Sequence, residues 1–173
     1  MKPQEAYLSA SPCSYHVFLS FRGVDIHTTF TNHLYSALDQ AGFHTFKDDD
    51  GIGKGDDIKS ELEKAIRESR ISIIILSKNY ASSTWCLEEL VTILKRRTFG
   101  HVVLPVFYGV DPSDVRKQNG SFKEAFKRHE EKINSVTDEQ EKEKFGDKVR
   151  TWRAALREVA NLAGMNLQDQ VDG

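Results

Sequence analysis

Short apolar runs alternate with helical apolar stripes along most of this 173-residue chain. Tyr15 to Ser20 reads as a short strand. Phe30, Leu34, Ala37, Leu38 and Ala41 then step at helical spacing until Gly42 ends the helix. Phe43 to Phe46 is a second short strand, and Ile58, Leu62, Ala65 and Ile66 mark the next helix. Ile71 to Leu76 is the most apolar run and is therefore expected at the centre of the sheet. His101 to Tyr108 is a fourth strand, in which Pro105 points to an edge or a bulge. Strand–helix alternation with short links implies a parallel sheet with helices on both faces.

The second half of the chain is helical. Ser121 precedes Glu124 by three residues and Thr137 precedes Gln140 by three, the spacing of two capping boxes. Between them, from His129 to Lys148, the chain is heavily charged and reads as a solvated helical face and connection. Val149, Trp152, Leu156, Val159, Ala160 and Ala163 form the apolar stripe of the last helix. Residues 1–14 are small and polar and read as a flexible leader, 15–166 as one domain, and the polar 167–173 as the start of a linker.

Composition narrows the function classes. A net charge of −2 leaves no footprint for nucleic acid or an anionic membrane surface. No run approaches the roughly 18 apolar residues of a membrane span. The N-terminus lacks an apolar signal core, and the only cysteines are Cys13 and Cys86. Both features suit a reducing compartment, cytoplasmic or nuclear.

Chemistry concentrates where the central strand ends. Ser82-Ser83-Thr84-Trp85-Cys86-Leu87-Glu88-Glu89 follows Ile71 to Leu76 and leads into a helix marked by Leu87, Leu90, Val91 and Leu94. A Trp, a Cys and two carboxylates thus sit at the carboxyl end of a buried strand, where open α/β sheets bind ligands. Read structurally, Trp85 and Cys86 are packing residues, and a Glu in the first helical turn is favoured by the dipole alone. Arg22, Gly23 and Asp25 lie past the first strand at the same mouth, where Arg22 either binds a phosphate or holds the loop through Asp25. Asp111-Pro112 is most simply a helix cap with proline at the first helical position.

Several familiar chemistries find no pattern here. Gly51-x-Gly53-x-Gly55 is neither a dinucleotide fingerprint nor a phosphate loop, and reads as a mobile, glycine-rich loop over 47–56. No histidine pairing or Cys-x-x-Cys suggests a metal, and Asp48, Asp49 and Asp50 lack the partner spacing of a calcium loop. A serine nucleophile elbow is absent.

The ordered motifs carry a resemblance. They are Phe18-Leu19-Ser20-Phe21-Arg22-Gly23-x-Asp25, Phe46-x-Asp48-Asp49, Gly55-x-x-Ile58 and Ala65-Ile66-x-x-Ser69. Ser77-x-Asn79-Tyr80-Ala81-x-Ser83-x-Trp85-Cys86-Leu87-x-Glu89-Leu90 follows. Val106-Phe107-Tyr108-x-Val110-Asp111-Pro112-Ser113-Asp114-Val115-Arg116 comes next, then Trp152-x-x-Ala155-Leu156 with Ala160-Asn161-Leu162. In this order they resemble the TIR domains of plant nucleotide-binding leucine-rich-repeat immune receptors.

The resemblance implies a flavodoxin-like α/β fold of about five parallel strands. The strand not visible above is then expected between the helix at 121–133 and the last helix, or degenerate there. It also implies self-association with other TIR domains, and an NAD glycohydrolase activity that depends on it, with NAD or NADP as substrate and no metal. The alternative is a non-catalytic TIR–TIR interaction module. Glu89 falls on the family's catalytic glutamate, and Glu88 on its variable neighbour. Cys86 matches a family cysteine linked to nucleotide chemistry, and Trp85 suits a pocket wall. Arg22, Gly23 and Asp25 are the further nucleotide-contact candidates. Asn32-His33, and the last helix near Gly164, match self-association surfaces. Val24 and His27 depart from the pattern at nucleotide contacts, and Asn32 and Met165 at association surfaces.

Overall fold

The computed structural model describes residues 15–26, 28–49 and 56–167. The expected leader, the glycines at 51, 53 and 55, His27 and residues 168–173 lie outside them. In chain order the elements are β1 (Val17–Phe21), α1 (Thr28–Gln40), β2 (Thr45–Asp49), α2 (Asp56–Glu68), β3 (Ile71–Leu76) and α3 (Thr84–Arg96). There follow β4 (Val102–Tyr108), α4 (Pro112–Lys117), α5 (Ser121–Ser135), α6 (Glu139–Ala160) and β5 (Met165–Leu167). All five strands are parallel, in the order β2-β1-β3-β4-β5. This is the flavodoxin-like order, whose switch point lies between β1 and β3.

Ile71–Leu76 is the middle strand, as its apolar run requires. The fifth strand corrects the expected location: it follows the last helix rather than preceding it. The stretch where it was expected is charged and exposed, and helical from Glu139. Only three residues of β5 pair with Val106, Phe107 and Tyr108. The first half of β4 is therefore open on that side, which is how Pro105 is accommodated in a strand lacking one donor.

The two faces of the sheet are unequally covered. Phe18, Ile74, Leu76, Val103 and Phe107 join the large core built with α2, α3, α5 and α6. On the opposite face Leu19, Phe21, Ile75 and Val106 meet Phe30 and Leu34 of α1. Ala37 and Ala41, expected on that stripe, are exposed. Val102, Leu104 and Met165, which share this face by register, stay 48%, 41% and 62% exposed because α1 does not reach them.

Caps moved by one residue from their expected positions. Gly120, at φ 59°, precedes α5, and Asp138 caps α6 by accepting from the Gln140 amide at 2.9 Å. A carboxylate is the stronger acceptor for exposed amides at a helix start, so Asp138 displaces Thr137. Asp111 caps α4 as expected, accepting from the Ser113 amide at 2.8 Å, with Pro112 as the first helical residue. That bond holds the Asp111 carboxyl below its ordinary range.

His129 departs from the solvated reading of its charged segment. It is buried between Phe126 and Trp152, with Nε2 2.8 Å from the Ala81 carbonyl. His101 is also buried: its Nδ1 meets the Ser69 carbonyl at 3.0 Å and its Nε2 the Ser72 hydroxyl at 2.7 Å. Burial pushes both imidazoles below their ordinary value of 6.5. The unfolded chain then binds more protons than the native one below that value, so stability rises with pH. It is fully present above pH 6.5 and is expected to fall as the solution is acidified from there. Urea titrations between pH 7.5 and roughly 5 read this directly. In a His129→Gln variant that portion of the pH dependence should flatten; an unchanged profile would show that His129 does not contribute.

Candidate active site

The site is built where β1 and β3 diverge. After β3 the chain makes a single 3-10 turn over Tyr80–Ser82, and Ser83 caps α3 by accepting from the Cys86 amide at 3.1 Å. This start sets the phase of the helix. Glu89 falls in its second turn, on the inward face, and is only 5% exposed. The expectation of an exposed first-turn glutamate is corrected here. Its burial follows from Leu87, Leu90, Ile93 and Leu94, which draw the same side of α3 onto the sheet.

A buried carboxylate needs partners, and β1 supplies one. Ser20 donates to Glu89 Oε1 at 2.8 Å. Ser20 also lies 3.0 Å from the Tyr80 hydroxyl, which donates to the Cys86 carbonyl at 3.1 Å. Glu89 is thus held by a chain that ties β1 to the start of α3. Ser20 and Tyr80 were not singled out from sequence. The only signal was a serine inside an otherwise apolar strand, on the same face as Phe18.

The other site residues divide. Asp25 accepts from the Ser77 hydroxyl and the Asn79 amide, each at 2.6 Å, and its second oxygen accepts from the Asn79 side chain at 2.6 Å. It therefore pins the β1 loop to the end of β3, and it is Ser77 and Asn79 that it holds. Arg22 and Gly23 sit half-buried on that pinned loop. Cys86 is fully buried, and its thiol faces the Phe21 carbonyl at 3.7 Å. Trp85 is half-buried beside it.

A cavity of about 390 Å³ opens alongside. Trp85, Glu88 and Glu89 line it from α3, Leu62 and Glu63 from α2, and Phe145, Lys148 and Trp152 from α6. Its size falls in the range of small-molecule sites, and its lining mixes aromatic walls with many charged side chains. Arg22, Asp25 and Cys86 do not line it. Glu88 does, and its Oε1 is 3.4 Å from Lys148 Nζ. The neighbour set aside from sequence therefore faces the same space as Glu89. Among the described residues, no group of three His, Cys, Asp or Glu side chains could hold a metal. The acidic loop lies largely outside them, and nothing is described of the side chains of Asp48 and Asp49.

An all-parallel sheet in this order, with a buried carboxylate held from β1 and a cavity among the helices beside it, defines a doubly wound α/β domain. The family model for the TIR domain matches residues 14–172, and the chain belongs to that family. It is 52% identical over 157 residues to the disease resistance protein RPV1 of Vitis rotundifolia, covering 90% of this chain and 10% of that protein. It is 49% identical over 157 residues to the TMV resistance protein N of Nicotiana glutinosa, covering 90% of this chain and 13% of that one. The chain thus spans about a tenth of these relatives. Among solved structures it matches the TIR domains of the activated Roq1 resistosome that directly recognizes the pathogen effector XopQ, with a TM-score of 0.75, 50% identity and 92% of both chains covered.

Proposed function

We propose that this chain is the signalling domain of a plant immune receptor, acting in the cytoplasm or nucleus. It self-associates and then hydrolyses NAD, or NADP, at the nicotinamide–ribose bond. The observation that carries this reading is Glu89: buried in α3, oriented by Ser20, and lining a cavity walled by Trp85. Kinship with disease resistance proteins and with resistosome TIR domains supports the signalling role.

The chemistry suits one carboxylate. Water replaces nicotinamide at the ribose carbon, giving ADP-ribose, nicotinamide and a proton. Nicotinamide leaves as a neutral base, so no general acid must protonate it. Positive charge develops on the ribose as the bond breaks, and a fixed carboxylate stabilises that charge in a water-poor site. Glu89 takes this role, Ser20 keeps its carboxylate aimed, and Trp85 packs a ring of the substrate. The competing reading, a non-catalytic interaction module, draws on the slight exposure of Glu89, which a purely structural carboxylate would share.

Nicotinamide release, followed as protein concentration rises, separates the two. Turnover per molecule should increase with assembly. Asn32 and His33 are both exposed on α1, Asn32 accepting from Lys47 Nζ at 3.4 Å, so this face can meet another copy. His33→Ala is expected to shift the sedimentation-derived mass towards monomer and to reduce turnover in parallel. An unchanged association constant would remove α1 from the interface. A chain that turns over no NAD even when clustered on a scaffold leaves the interaction module as its function.

A further inference from the structure

The cavity that Glu89 lines continues well past it. Lys95 lies six residues further along α3, about 9 Å at 1.5 Å per residue. Lys132 of α5 and Lys148 of α6 line the same cavity, Lys148 at the level of Glu88. Lys132 Nζ stands 5.7 Å above the Phe145 ring, and Phe145 packs edge-on against Trp152 with ring centroids 5.8 Å apart. Lys95, Lys132 and Lys148 therefore line one cavity from three helices beside these rings, with Lys59 of α2 a fourth lysine in its lining. Glu63, Glu88 and Glu89 line the same cavity, and Glu88 lies 3.4 Å from Lys148, on a pair whose side chains are 36% and 57% exposed. So exposed a pair is worth about 0–1 kcal/mol and is readily exchanged for a better anion.

We infer that the lysine-lined part of this cavity, from Lys148 beside Glu88 to Lys132 and Lys95, is an anion subsite for the diphosphate of a nucleotide, with Lys148 passing from Glu88 to the phosphate on binding. It rests on the reading above for which nucleotide occupies it, because a ribose at Glu89 directs the attached diphosphate along α3 towards these lysines. A compact, doubly charged group satisfies converging ammonium groups that would otherwise repel one another. The aromatic floor leaves room for a flat base beyond the phosphates.

Binding tests this without relying on turnover. Inorganic diphosphate, ADP and NAD are titrated separately into the parent protein and followed by amide chemical shifts. The double variant Lys132→Ala/Lys148→Ala should bind diphosphate and ADP at least tenfold more weakly. Lys127→Ala removes one charge from α5 away from the cavity, as Lys132→Ala does within it, and should change nothing. Glu89→Gln should leave diphosphate binding intact, since Glu89 is held by Ser20 and Lys148 pairs with Glu88. With a cleaving parent, the double variant should raise KM for NAD while kcat holds. Diphosphate tighter than or equal to ADP assigns the affinity to the phosphates; ADP tighter adds the aromatic floor. Equal diphosphate affinity in parent and double variant, equal weakening by Lys127→Ala, or no binding to the parent at millimolar concentration would each overturn the subsite. If diphosphate binding follows the lysines but the parent never releases nicotinamide, the subsite stands and the catalytic reading falls.

Discussion

Glu89→Gln is expected to lower nicotinamide release about 10²–10³-fold, the usual cost of removing one oriented electrostatic group from a reaction centre. Glutamine is the informative replacement. It keeps the shape of the side chain and can still accept from Ser20 at the 2.8 Å position, while losing the charge that opposes the developing cation. Alanine tests less cleanly than an exposed glutamate would allow. It strands the buried Ser20 hydroxyl and leaves a gap under α3, at a stability cost of about 1–3 kcal/mol. Glu88→Ala should keep most of the catalytic rate, because Glu88 pairs with Lys148 rather than with the β1 chain. Wild-type turnover in Glu89→Gln, or a dead Glu88→Ala, would move the catalytic carboxylate elsewhere. Ser20→Ala separates orientation from charge: it should lower kcat less than Glu89→Gln does.

Gly164→Ala should be the most damaging single-methyl change to the fold. A Cβ at this position would lie 2.2 Å from the Pro105 carbonyl oxygen and 2.6 Å from the Pro105 ring. Neither neighbour can give way cheaply, since one is backbone and the other a ring fixed in β4. The expected loss is about 3 kcal/mol, near the top of the range for overpacking. That corresponds to roughly 6–12 °C in Tm for a domain of this size. The damage should localise to β5, whose Leu167 carbonyl accepts from the Gly109 amide at 2.8 Å, so exchange of that amide should quicken. Gly164, near an expected self-association surface, makes its close approach within the chain to β4. Were Gly164→Ala to weaken association while the dilute monomer melted normally, the intermolecular reading would return.

Much of the fold was legible because its signals are local. The apolar run at Ile71–Leu76 allowed only a buried strand, and Asp111-Pro112 carried its own cap. β5 was not legible: Met165–Leu167 is three residues long and mostly exposed, too short for periodicity to register. His129 was read as solvated because its neighbours in sequence are charged, whereas its neighbours in space are Phe126, Trp152 and the Ala81 carbonyl.

The site divides along the same line. Residue type and order marked the cluster of Trp85, Cys86, Glu88 and Glu89 and the β1 loop, because a polar cluster at the end of an apolar strand is visible in one dimension, and the family resemblance singled out Glu89 within it. Which of them face one another was decided by the tertiary structure. The phase of α3, set by the Ser83 cap, turned Glu89 inward onto Ser20 and buried the Cys86 thiol against Phe21. Docking of α6 on α3 brought Lys148 to Glu88, 60 residues away in sequence. A sequence records local preference, which settles where strands and helices form. The pairing of distant side chains depends on how those elements pack, and only the folded chain contains that information.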